Sequence, residues 1–92
     1  TDIIPDKFYV SPNYPNPFNP VTTIEYGLNV SGDVIMYLFD IRGAMVQTLV
    51  NEYHSAGFYE LTFDGSKLAS GVYFYSTIAN GIVKTHKLVL LK

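Results

Sequence analysis

The sequence predicts an all-β fold, an immunoglobulin-like antiparallel β-sandwich of about seven strands, and three observations lead there. No segment longer than about ten residues carries apolar residues at i, i+3, i+4 and i+7, so helices have no foothold. β-Branched and aromatic residues alternate with polar ones through most of the chain, as in strands with one wet face. Turn residues break that alternation at short, regular intervals, as the hairpins and corners of a sandwich require.

The first strand is expected at Lys7–Ser11. It runs into SPNYPNPFNP, Ser11 to Pro20, which holds four of the chain's five prolines and three asparagines. Each proline fixes its own φ and pushes the preceding residue to extended geometry, so Asn13 to Pro20 is neither helix nor central strand. A bare linker has no use for Tyr14 and Phe18, and asparagines beside prolines bond their side chains to nearby backbone. Residues 1–20 therefore read as an extended Pro/Asn-rich lead-in, ordered at its end, with Phe18 and Tyr14 plugging one end of the sandwich.

The second strand, Val21–Leu28, sets Ile24, Tyr26 and Leu28 opposite Thr23, Glu25 and Gly27. The third, Asp33–Phe39, aligns Val34, Met36 and Leu38 on one side. A turn at Arg42-Gly43 leads to the fourth, Ala44–Asn51, whose stretch TLVNEYHS is polar enough for a sheet edge. The fifth, Gly57–Asp64, sets Tyr59, Leu61 and Phe63 against Phe58, Glu60 and Thr62. The stretch DGSKLASG does not alternate; Asp64 or Ser66 can cap one helical turn and Gly71 can end it, which suits a crossover between sheets. The sixth strand, Gly71–Ala79, is apolar on both faces at its start and belongs at a central position. Asn80-Gly81 fits the two positive-φ positions of a type I′ turn, so the seventh strand, Ile82–Leu91, forms a hairpin with the sixth.

The chain's 92 residues make one domain, 48% hydrophobic and 15% charged, in the range of globular proteins. No window approaches the roughly 18 uninterrupted apolar residues of a membrane helix, so no transmembrane segment is expected. A net charge of −2 without a dense basic run provides no footprint for nucleic acid. Absence of cysteine removes disulfides, thiolate chemistry and cysteine-ligated zinc. The chain begins at Thr1 without a methionine or an export signal, and is expected to be a piece of a longer polypeptide or a processed product.

Chemistry has few candidates. His54 and His86 lie about thirty residues apart without metal-ligand spacing, and are expected to be exposed strand or turn residues. No serine sits in a Gly-x-Ser-x-Gly or Ser-x-x-Lys arrangement. Asp33, Asp40 and Asp64 fall near strand ends, where turn and cap roles suit them, and the glycines stand singly rather than in a phosphate loop. Asn29-Val30-Ser31 matches a glycosylation sequon that arises often by chance. No catalytic, cofactor-binding or metal-ligating set is assigned, and no enzymatic activity is expected.

Five segments in order carry a resemblance: Pro15-Asn16-Pro17-Phe18-Asn19-Pro20, the turn Leu38-Phe39-Asp40-Ile41-Arg42-Gly43, Ala56-Gly57-Phe58-Tyr59, Leu68-Ala69-Ser70-Gly71-Val72-Tyr73, and Lys87-Leu88-Val89-Leu90-Leu91-Lys92. Together they resemble the C-terminal sorting domain of proteins exported by the type IX secretion system, over nearly the whole chain. The resemblance implies an immunoglobulin-like sandwich, in agreement with the strand pattern. It implies a domain with N-terminally attached cargo that crosses the periplasm, is recognised by the outer-membrane translocon and a surface sortase, and brings the cargo to the cell surface or outside. By the same resemblance Gly71 and Tyr73 match a Gly-x-Tyr motif, and Lys87, Leu88, Val89, Leu90, Leu91 and Lys92 match a terminal basic-apolar motif, which makes these eight the candidate recognition residues.

Physical reasoning favours the tail as the recognised surface, because Leu88 to Leu91 is apolar on both faces and suits a partly exposed strand or pairing by edge addition. Exchange of a terminal strand between copies is also a route to homo-oligomers. Two alternatives accompany the sorting reading: a self-assembling module of a filament or surface layer, and a carbohydrate-binding module, which needs an exposed aromatic row.

Overall fold

The computed structural model describes residues 3–92 and folds them into seven strands, with no helix among the described residues. In chain order these are β1 (Tyr9–Val10), β2 (Val21–Leu28), β3 (Gly32–Asp40), β4 (Met45–His54), β5 (Gly57–Asp64), β6 (Gly71–Ala79) and β7 (Ile82–Leu90). They form two antiparallel sheets, β1-β2-β5 and β4-β3-β6-β7. The all-β, immunoglobulin-like expectation stands.

Alternation decides the packing. Ile24, Tyr26 and Leu28 of β2 and Val34, Met36 and Leu38 of β3 all turn inward, meeting Phe63, Tyr73, Tyr75, Leu88 and Leu90 in one core. Each large side chain so buried contributes about 1.5–3 kcal/mol of hydrophobic stabilisation. β6 lies between β3 and β7, and β4 is an edge, as their compositions indicate. Asn80 (φ 51°) and Gly81 (φ 77°) provide the two left-handed residues that close the β6–β7 hairpin, with Ala79 paired to Ile82.

The crossover from β5 to β6 is a turn rather than a helix. Asp64 Oδ1 accepts from Ser66 N–H at 2.9 Å, and the Leu68 N–H donates to the Gly65 carbonyl at 2.9 Å. Gly71 is therefore not a helix stop: it opens β6, paired with Leu90.

The first strand is shorter than expected, Tyr9–Val10 rather than Lys7–Ser11, although Ser11 N–H still donates to the Glu25 carbonyl at 2.8 Å before Pro12 ends the pairing. Beyond it the proline-rich stretch becomes a latch. Tyr14 exchanges two backbone hydrogen bonds with Thr23 of β2, at 2.8 and 2.9 Å, and Phe18 does the equivalent with β7, receiving from Leu91 N–H and donating to the Val89 carbonyl, both at 3.0 Å. One segment thus ties β2 of the first sheet, beyond the end of β1, to the edge strand β7 of the second. Three of its X–Pro bonds, after Tyr14, Asn16 and Asn19, are cis.

Buried polar groups hold the latch. Asn13 Nδ2 donates to Thr22 Oγ1 and to the Pro15 carbonyl, each at 3.1 Å; Thr22 Oγ1 donates to that carbonyl at 2.8 Å; Tyr75 O–H donates to the Ser11 carbonyl at 2.7 Å. Phe18 is 2% exposed and meets Phe63 edge-on at 6.1 Å, so it does plug the sandwich end. Tyr14 does not. It is 80% exposed, because the backbone pairing with Thr23 turns its ring to solvent.

Candidate functional site

Pairing of β6 with β7 brings the two sets of candidate residues into one register. Gly71 lies opposite Leu90, Val72 opposite Val89, and Tyr73 opposite Leu88. Strand alternation then divides them. Tyr73, Leu88 and Leu90 point inward and are buried, whereas Lys87, Leu91 and Lys92 are exposed and Gly71 and Val89 are half-buried. The tail is a partly exposed strand, with Leu91 exposed and Val89 half-buried, but the expected pairing of Leu88–Leu91 by edge addition is corrected, because that edge is already occupied.

That occupation comes from the latch. Alternate residues of β7 turn their backbone groups away from β6, and Asn16 and Phe18 meet them: Asn16 Oδ1 accepts from Val89 N–H at 3.0 Å, and Asn16 Nδ2 reaches the Lys87 carbonyl at 3.5 Å beside the two Phe18 bonds. Free edges are dangerous to leave bare, and this half of β7 has none to offer. The chain end is held from the crossover turn as well, where Lys92 N–H donates to Ser70 Oγ at 3.0 Å and Lys92 Nζ to the Ser66 carbonyl at 2.6 Å. Tyr73 O–H closes the frame by donating to the Ala69 carbonyl at 2.7 Å.

The exposed surface that results is small and basic at both ends, with Lys87 and Lys92 flanking Leu91. Beside it the Asp64 carboxyl is held below its ordinary value, first by the Ser66 N–H and hydroxyl and then by the Lys67 and Lys92 ammoniums. Asn16, Ser66 and Ser70 position this surface; the sequence marks Asn16 as a backbone-bonding asparagine beside prolines and Ser66 as a cap, but places none of the three among the recognition residues. For Asn16 the signal was present: an asparagine between two prolines has few uses other than bonding backbone.

A second polar cluster lies where β4 meets β5. Tyr26 O–H is 2.8 Å from His54 Nε2, and His54 Nδ1 is 3.7 Å from a Glu52 carboxylate oxygen. His54 is buried rather than exposed as expected, stacked on Tyr59 at 4.1 Å between ring centres. Hydroxyl, imidazole and carboxylate in series suggest an activated nucleophile, but the electrostatics run the other way. Burial first, then the Glu52 carboxylate and Tyr59, push the Tyr26 phenol up to about 12, which disfavours the phenolate. The cluster packs a sheet edge.

His86 is half-buried and reaches the Val10 carbonyl through Nε2 at 2.8 Å, linking β7 to β1. Among the described residues no group of three or more His, Asp or Glu side chains is placed to hold a metal ion, and no helix is long and apolar enough to cross a membrane. The most exposed rings are Tyr14 of the latch, Tyr53 of β4 and Phe58 of β5.

A family model described as a secretion system C-terminal sorting domain matches residues 13–91, from the asparagine that anchors the latch to the exposed leucine after β7. No curated protein matches the chain.

Proposed function

The chain belongs to the C-terminal sorting domains of the type IX secretion system, and from that premise we propose that it is read, folded, as an address by the outer-membrane translocon of that system. A sorting domain of this kind marks attached cargo for export to the cell surface or outside. In this reading the domain is the C-terminal module of a longer polypeptide, performs no chemistry of its own, crosses the periplasm behind its cargo and is removed by a surface sortase.

The observation that carries the reading is the family match over residues 13–91. The tail supports it with a division of labour: Tyr73, Leu88 and Leu90 anchor the last strand in the core, which leaves Lys87, Val89, Leu91 and Lys92 to be touched by a partner. Gly71 lies opposite Leu90 at the end of the β6–β7 ladder, beside this surface.

The test is a reporter with an ordinary export signal, fused ahead of residues 1–92, in a bacterium with a type IX system and in its translocon mutant. Translocon-dependent surface display or release is the expected result. In the same assay the double substitution Lys87→Glu, Lys92→Glu lowers export while the purified protein keeps its melting temperature. A reporter that stays in the periplasm of both strains overturns the function, and export unaffected by the double substitution overturns the tail as the recognised surface.

A further inference from the structure

The latch covers only half of β7's edge. The alternation that turns Lys87 C=O, both Val89 groups and Leu91 N–H toward Asn16 and Phe18 also turns outward the N–H and C=O of Val83 and Thr85 and the N–H of Lys87. None of these five groups has a hydrogen-bond partner among the described residues, and Val83 is 59% exposed. A sheet edge of this kind is a template for another strand.

Alongside it runs a groove of about 440 Å³, lined by Lys7, Phe8, Tyr9, Val10, Lys84, Thr85 and His86. β1 forms the opposite wall, and the His86–Val10 hydrogen bond ties the two walls together. The open stretch, Ile82 to His86, accommodates a strand of about five residues, ~17 Å. Immediately downstream Phe18 already lies against Leu90 as a parallel partner, so the geometry of an added strand at this edge is shown by the chain itself.

Charge selects the occupant. Lys7 and Lys84 both line the groove, Lys84 with its ammonium 5.9 Å from the Phe8 ring centre, and no carboxylate lines it. Lys87 follows on the same strand, so three of the chain's six cationic residues border this edge of a protein whose net charge is −2. We propose that the open half of β7's edge is a strand-addition site for an extended peptide with an aspartate or glutamate side chain facing Lys7 and Lys84. Backbone pairing to Val83 and Thr85 provides the grip, and the carboxylate provides the choice of partner. Apart from Lys87, which borders both, this site is separate from the tail surface and stands whether or not that surface is what the translocon reads.

The test uses the whole chain and two synthetic peptides, acetyl-TVEVTV-amide and acetyl-TVKVTV-amide, followed by amide nuclear magnetic resonance. The glutamate peptide is expected to shift the amides of Val83, Thr85 and Lys87 and slow their hydrogen exchange, and to bind about tenfold more tightly than the lysine peptide. Thr85→Pro removes an outward N–H without touching the β6 ladder, and abolishes binding. Lys84→Glu, which needs no backbone change, reverses the preference between the peptides and decides the matter if the proline variant does not fold. Equal binding of the two peptides, or shifts confined to other surfaces, overturns the proposal. Concentration-dependent shifts of the same amides without peptide assign the edge to a second copy of the chain and also overturn it.

Discussion

Phe18 and Leu90 are partners across a parallel bridge, the only place where the proline-rich latch and the last strand share backbone pairing among the described residues. The Phe18 ring is buried against Phe63, and both Phe18 and Leu90 lie within 3.3 Å of where a side chain at Gly65 would begin. Two distant parts of the chain therefore close the same end of the core.

Phe18→Ala empties that end and is expected to cost about 3–5 kcal/mol, read as a lowered urea midpoint. Asn16→Ala removes only edge bonds on an exposed segment and costs about 1 kcal/mol. A smaller effect for Phe18 than for Asn16 would show that the latch is held by its polar contacts alone.

Core and surface separate in the same way elsewhere. Leu38→Ala and Phe63→Ala each cost about 2–5 kcal/mol, whereas Lys87→Ala stays within about 0.5 kcal/mol of the parent in thermal melts. Deleting Lys87–Lys92 is a different matter, since it removes Leu88 and Leu90 from the core. Such a truncation should unfold the protein, and loss of export on deletion says nothing about recognition unless folding is measured alongside.

Alkaline pH should destabilise the fold through two buried phenols. Tyr26 and Tyr75 are both pushed up to about 12, chiefly by burial. In the unfolded chain they lose protons near 10.0, so their contribution is complete below that pH and is lost as pH rises through about 12. Tyrosinate absorbance should show a late-titrating component from these two phenols, and Tyr75→Phe should remove part of it.

Acid acts through the turns. Asp40 accepts from Ala44 N–H at 3.0 Å and from Arg42 N–H at 2.9 Å, and these bonds, led by Ala44, hold its carboxyl below 3.8. Asp64 is lowered in the same sense by Ser66. Their stabilisation is complete above the ordinary carboxylate value and is lost as pH falls below it through the lowered ones. Asp40→Asn should flatten the acid limb of a stability curve, and an unchanged limb would show that the turn bonds contribute nothing.

β2, β5 and β6 are legible to the residue, β2 and β5 from alternation between turn residues and β6 from an apolar run bounded by Gly71 and Asn80-Gly81. β4 extends to His54, three residues beyond expectation, because Tyr53 and His54 pair with Asp33 and Gly32. Val50 and His54 share the inward face of that strand, a period-of-two signal that polar neighbours obscured. The occupied edge of the tail escaped the sequence for a different reason. Nothing local in Leu88-Val89-Leu90-Leu91 reveals that an asparagine and a phenylalanine some seventy residues earlier cover its edge, since long-range pairing leaves no periodic trace. The division of the candidate site into anchors and exposed residues followed from that same pairing.

The direction of the Phe18–Leu90 bridge has a mechanical consequence. Because the two segments run parallel, pulling the chain by its opposite ends draws Phe18 backward and Leu90 forward along one axis. The bonds from Phe18 and Asn16 to Val89 and Leu91 are then strained in shear and share the load, rather than opening one after another like a zipper. A domain tied this way resists tension along its length while remaining open to attack on the bare half of β7.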